Sequence, residues 1–259
     1  METKFRAQVF GFFDILREGW KIYRLGLTNF VLIAVLVYLP QFILTYFFPS
    51  GYSLDSPVTS AASIRASAYS WLFMGINLFQ IVAVAYLVEH IVQGQTTSLV
   101  ATLRYALSRF PAIVLIAILL SVVVIFGGLL LIIPGLIIGI YLAFTLSIVA
   151  LRKNGFRAFQ YSISLVKGQW WRVFRIFFSI TFISVAFTFL LNRLVATSAV
   201  YIGFGAHILN LIGFLVAIIF QICQVVFFLN QDYVKHPIET VLIHPEQGIV
   251  LQTVEPLLD

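Results

Sequence analysis

PAIVLIAILLSVVVIFGGLLLIIPGLIIGIYLAFTLSIVAL, Pro111–Leu151, carries no charged side chain from end to end. Crossing about 30 Å of hydrocarbon takes roughly 20 apolar residues in a helix. This stretch therefore reads as two spans, Pro111–Ile133 and Gly135–Leu151. Between them Ile132-Ile133-Pro134-Gly135 reads as a tight reversal, because proline lacks an N–H and glycine tolerates positive φ.

Working outward, the flanks are basic. Arg104 and Arg109 precede the hairpin, and Arg152, Lys153, Arg157, Lys167, Arg172 and Arg175 follow it. Four more apolar stretches lie beyond: Leu27–Phe47, Tyr69–Val92, Val173–Leu191 and His207–Leu229. Pro40 is expected to kink the first of these or end its regular part. The segment before the first span holds Lys4, Arg6, Arg17, Lys21 and Arg24. The connections after the first and fifth spans hold only Arg65 and Arg193, and Lys235 opens the tail. Basic residues thus alternate between rich and poor connections. The positive-inside rule then expects both termini in the cytoplasm.

Composition agrees. The 259-residue chain is 61% hydrophobic and 10% charged, with a mean hydropathy of +1.03. A soluble domain carries about 25% charged residues, so lipid is the expected solvent. The net charge of +6 sits in short connections, where anionic headgroups are the nearest partner. Nucleic acid is not an expected partner, since no groove-reading motif accompanies the charge. Cys223 is the single cysteine, which excludes an intrachain disulfide. His90, His207, His236 and His244 lack close metal-ligand spacing. No metal or cofactor is expected. The first apolar run starts only after about 25 mixed-charge residues, unlike a signal peptide.

Amphipathic segments precede the odd-numbered spans. In the first, Phe5, Val9, Phe12, Phe13, Leu16, Trp20 and Tyr23 recur at helical spacing, with Asp14, Arg17, Glu18 and Lys21 opposite. In the second the stripe is Leu99, Leu103, Ala106, Leu107 and Phe110. In the third it is Phe156, Phe159, Ile163, Val166 and Trp170, with Arg157, Ser164 and Lys167 outward. Such helices beside a span are expected in the interface plane. The first and third end alike, on Gly19-Trp20-Lys21-Ile22-Tyr23-Arg24 and on Gly168-Gln169-Trp170-Trp171-Arg172-Val173-Phe174-Arg175. The chain therefore parses as an all-α membrane protein, residues 1–230, built of three parallel repeats. Each repeat is an interfacial amphipathic helix plus a two-span hairpin. A short cytoplasmic tail, residues 231–259, follows, with small strands expected at Glu239–Ile243 and Gly248–Val254. The main outer loop is expected over Phe48–Ala68, with a short helix at Ser60–Ala68.

Candidate site residues fall into two sets. Glu89, His90, Asn77, Gln80, Gln221 and Gln224 are intramembrane polar groups. Glu89-His90 reads as a helix-end pair in reach of Arg104, or as a substrate or proton site. The amides, three apart in each pair, read as interhelical glue or as a polar path. Trp20, Arg24, Trp170, Trp171, Arg172 and Arg175 form the interfacial set, suited to anchoring or to a phospholipid headgroup. No nucleophile–base pair, phosphate-cradling glycine loop or carboxylate cluster is present. No catalytic residue is assigned, and an enzyme is not expected.

The succession Leu129-Leu130-Leu131-Ile132-Ile133-Pro134-Gly135, a span, Asn154-Gly155, Ala158, Ser162, Leu165-Val166-Lys167-Gly168 and Trp170-Trp171-Arg172-Val173-Phe174 resembles a bacterial and archaeal membrane family. Its members are labelled as the membrane domain of glycerophosphoryl diester phosphodiesterase, or as uncharacterised membrane proteins. The resemblance covers roughly residues 5–230. It implies a six-span helical domain without the catalytic His-Arg and Glu-Asn-Thr motifs of the separate phosphodiesterase domain. The expected function is a non-catalytic scaffold or accessory subunit in a prokaryotic inner membrane, engaging lipids or other membrane proteins. A transporter or channel for a lipid or small solute is the alternative.

Overall fold

The computed structural model describes residues 1–47, 61–130, 132–152, 155–197 and 204–235. Every regular element among them is an α-helix. In chain order these are α1 (Glu2–Ala7), α2 (Phe12–Leu25), α3 (Leu27–Phe47), α4 (Ala61–Val92), α5 (Leu99–Leu130), α6 (Ile132–Tyr141), α7 (Thr145–Arg152), α8 (Arg157–Val166), α9 (Trp170–Thr197) and α10 (Phe204–Lys235). Among the described residues, six stretches are long and apolar enough to cross a membrane: Leu27–Leu44, Ser67–Val92, Leu99–Gly128, Ile133–Arg152, Trp170–Leu191 and His207–Lys235. The protein is a multi-pass membrane protein by this measure. Of the expected outer loop, residues 48–60 lie outside the described residues, as do the expected tail strands, His236 and His244; Ala61–Ala68, expected as a short helix of that loop, are the opening of α4.

α4 and α10 form the centre. α10 touches α2, α3, α4, α9 and α1, and α4 touches α3, α5, α7 and α10. Only 17% of the α5 window and 17% of the α9 window is buried, against 44% for α4. Most of the α5 and α9 surface is therefore left uncovered by the rest of the chain. The short connections bring Leu27, Val92, Leu99, Arg152, Trp170 and Lys235 to one end of the bundle. α1, α2 and α8 pack at that end.

Three elements differ from the sequence reading. First, the amphipathic Leu99–Phe110 segment is no separate helix. It is the opening of α5, which runs on through Pro111. α3 likewise continues through Pro40. Second, Pro134-Gly135 is not the reversal itself. Both residues lie in the first turn of α6, where a missing N–H costs nothing because the first four N–H groups have no helical partner. Gly135 does not have positive φ. Its role is contact: a Cβ there would lie 2.8 Å from the Gly128 nitrogen, so glycine lets α5 and α6 touch backbone to backbone.

Third, the fourth span is broken. Leu142–Phe144 leave the helix between α6 and α7. The buried Ser162 of α8 bridges the gap: its hydroxyl donates to the Tyr141 carbonyl (2.8 Å) and accepts from the Phe144 N–H (3.3 Å). Non-helical backbone at membrane depth is tolerated only where protein or a cavity satisfies its polar groups. α10, by contrast, runs unbroken past residue 230 to Lys235. The expected boundary between membrane domain and tail therefore falls inside a helix.

Candidate functional site

The polar end of the bundle is tied by one arginine. Arg152 ends α7, and its guanidinium donates to Glu89 of α4 at 2.5 Å and to Asp232 of α10 at 2.7 and 3.1 Å. The two carboxylate side chains are 10% and 8% exposed, so each depends on this cation. Tyr161 of α8 donates its hydroxyl to the other Asp232 oxygen. Burial, with the adjacent Asp232 charge second, pushes the Tyr161 phenol well above its usual value of 10.0. Glu89 thus pairs with Arg152, and the expected reach to Arg104 is replaced. Neighbouring His90 bonds the carbonyl of Tyr86 in its own helix.

A second knot holds the N-terminus. Asn230 of α10 is fully buried. Its amide nitrogen donates to the carbonyls of Phe5 (3.0 Å) and Gln8 (2.9 Å), and its oxygen accepts from the Phe10 N–H at 2.9 Å. Arg172 of α9 donates to the Phe10 carbonyl at 2.7 Å and to the Gln169 side chain at 2.8 Å. Lys4 of α1 pairs with Glu18 of α2 at 2.5 Å. Asn230 carries no motif, and only its placement in the fold reveals it. Arg172 belongs to the expected interfacial set, but its bond to Phe10 comes from the fold.

The interfacial helices meet the bundle along part of the expected apolar stripe and leave the rest of that stripe exposed. On α2 the protein-facing residues are Ile15, Glu18, Gly19, Ile22 and Tyr23. Phe13, Arg17, Trp20 and Arg24 make one outward stripe at spacings of four, three and four, with Lys21 also exposed. The reason is close packing: a Cβ on Gly19 would sit 2.7 Å from Cys223 Sγ of α10, so a bulky residue cannot face inward there. α8 does the same. Ala158, Ser162, Leu165 and Val166 are buried, while Phe156, Arg157, Ile163 and Lys167 are exposed. Val100, Arg104 and Leu107 of α5, and Trp171 and Arg175 of α9, continue this exposed pattern. Of the expected interfacial residues, Trp20, Arg24, Trp171 and Arg175 join the exposed belt. Trp170 is half-buried and stacked on Phe174 at 5.3 Å, and Arg172 is spent on Phe10.

Above this layer are two concave features. An apolar groove of about 480 Å³ opens sideways between α3, α4 and α5, lined by Val37, Pro40, Trp71, Ile76, Phe79 and Phe110 among others. A smaller cavity of about 120 Å³ lies at the break in the fourth span, between α4, α7, α9 and α10. Gln221 and Gln224 line it. Gln80 donates to the Gln221 side-chain oxygen at 3.2 Å. Asn77 does not join them: it is exposed, and its amide folds back onto the Phe73 carbonyl at 2.7 Å. Among the described residues, no group of three or more His, Cys, Asp or Glu could hold a metal ion.

The chain matches no known protein family, no curated protein and no solved structure.

Proposed function

We propose that this chain is a non-catalytic scaffold or accessory subunit of a prokaryotic inner membrane that engages anionic lipid headgroups along one face, with both termini cytoplasmic. The observation that carries the reading is the exposed belt: arginine or lysine beside large apolar side chains on α2, α5, α8 and α9, all at one end of the bundle. Tryptophan settles at headgroup depth, and each basic residue near an anionic surface contributes about 1 kcal/mol. The Arg152 and Asn230 knots support it, because they hold the interfacial helices rigidly against the spans. The sideways groove is of a size and polarity to take an acyl chain. Membership of the glycerophosphoryl diester phosphodiesterase membrane-domain family belongs to this proposal, as does the three-repeat parse. α1–α2 and α8 fit the repeat as separate helices, and the second unit departs from it by fusion with its span.

The test is native mass spectrometry of protein released from nanodiscs of mixed phosphatidylglycerol and phosphatidylethanolamine. The expected result is retained phosphatidylglycerol above its bulk fraction, reduced to that fraction by Arg17→Gln, Arg24→Gln and Arg175→Gln combined. Retained lipid at bulk composition in the wild-type protein overturns the reading. A transporter or channel is the second reading, and the cavity at the broken span favours it.

A further inference from the structure

The cavity beside the break is the most chemically specific feature that the lipid-belt reading leaves unused. Ala143 and Phe144, which leave the helix, form part of its wall together with Ser147 of α7, Phe177 of α9 and Gln221 and Gln224 of α10. Membrane proteins that bind solutes commonly do so where a span is discontinuous. The break here is not a packing accident, since Ser162 restores the hydrogen bonds on the far side of it.

The amide chemistry is incomplete. One hydrogen bond joins Gln80 to Gln221, which uses one amide N–H₂ and one amide oxygen. Gln80 Oε1 and Gln221 Nε2 remain buried without a partner. Exchanging the two ends of each amide still leaves one donor group and one acceptor over. Gln80 is 5% exposed. Buried polar groups are normally satisfied, and each exception calls for a partner.

We propose that this cavity is a binding site for a small uncharged solute that both donates and accepts hydrogen bonds, with Gln221 as its principal contact. Charge is excluded by the lining: no ionisable side chain is among the residues that wall the cavity, and an ion without a counter-charge at this depth is strongly disfavoured. Size follows from the volume. An apolar cavity of about 150 Å³ takes benzene. By that scale a cavity of about 120 Å³ takes about four to six non-hydrogen atoms, the size of acetamide or glycerol. The site is independent of the lipid belt, so either can fail alone.

The test is equilibrium binding of radiolabelled glycerol and of radiolabelled acetamide to the full chain in nanodiscs. Saturable binding of at least one probe to the wild-type protein is expected. It weakens at least tenfold in Gln221→Leu and in Ala143→Phe, which fills the cavity, and is unchanged in Arg175→Gln on the belt. Absence of saturable binding of both probes to the wild-type protein overturns the proposal, whatever the variants do. So does saturable binding that a folded Gln221→Leu and a folded Ala143→Phe both leave intact.

Discussion

Arg152 neutralises two carboxylates that come from two other helices. Removing one member of a buried ion pair leaves an uncompensated charge and costs about 3–5 kcal/mol. Arg152→Ala is therefore expected to destabilise the protein by about 3 kcal/mol or more, read as a drop in thermal unfolding midpoint in detergent. A midpoint equal to wild type would mean that the carboxylates find water. Tyr161 gives a pH signature. Its phenol holds its proton more tightly in the folded chain than at the ordinary 10.0. Unfolding then releases a proton at high pH, so stability is full below pH 10 and falls as pH rises above it. In Tyr161→Phe the slope above pH 10 should be shallower, measured by unfolding at pH 9 and pH 11. Neither role is visible in the sequence: Arg152 reads as one of six basic residues in a connection, and Asp232 as an acid in a tail.

At the scale of elements, α2 packs tightly against α10 at Gly19 and Cys223. A leucine at 19 has no room, and overpacking of this kind costs about 1–3 kcal/mol. Gly19→Leu should loosen α2 from the bundle and open Cys223, which is fully buried, to a thiol reagent. Labelling no faster than wild type would show that the helices separate without strain. The elements also show why an amphipathic stripe does not by itself name its partner. Periodicity marks an apolar stripe, but beside a membrane that stripe has two possible partners, protein and lipid. α2 turns Ile15, Gly19, Ile22 and Tyr23 toward the protein and α8 turns Ala158, Ser162, Leu165 and Val166, while Phe13, Trp20, Phe156 and Ile163 face outward. The break in the fourth span was hidden for a related reason: Leu142-Ala143-Phe144 is as apolar as a helix interior, and the serine that sustains the break is about 20 residues away.

For the whole molecule, the orientation proposal is the most direct to check. The basic residues gather at the end where α1, α2 and α8 lie. A reporter active only in the cytoplasm, fused after Asp259, should be active. A reporter active only outside, placed there instead, should be silent, and the reverse pair of results would invert the assignment.

The membrane class, six candidate spans and the gathering of basic residues in alternate connections are legible in the chain alone, because hydropathy and charge act residue by residue along it. Length against bilayer thickness needs no knowledge of neighbours. Tertiary structure alone decided that Arg152 joins Glu89 to Asp232, that Asn230 clasps Phe5, Gln8 and Phe10, and that Gln80 meets Gln221 while Asn77 faces away. Those pairings join residues 63 to 225 positions apart. They depend on the rotation of each helix about its axis, which is set by where glycine, alanine and serine let two backbones come close.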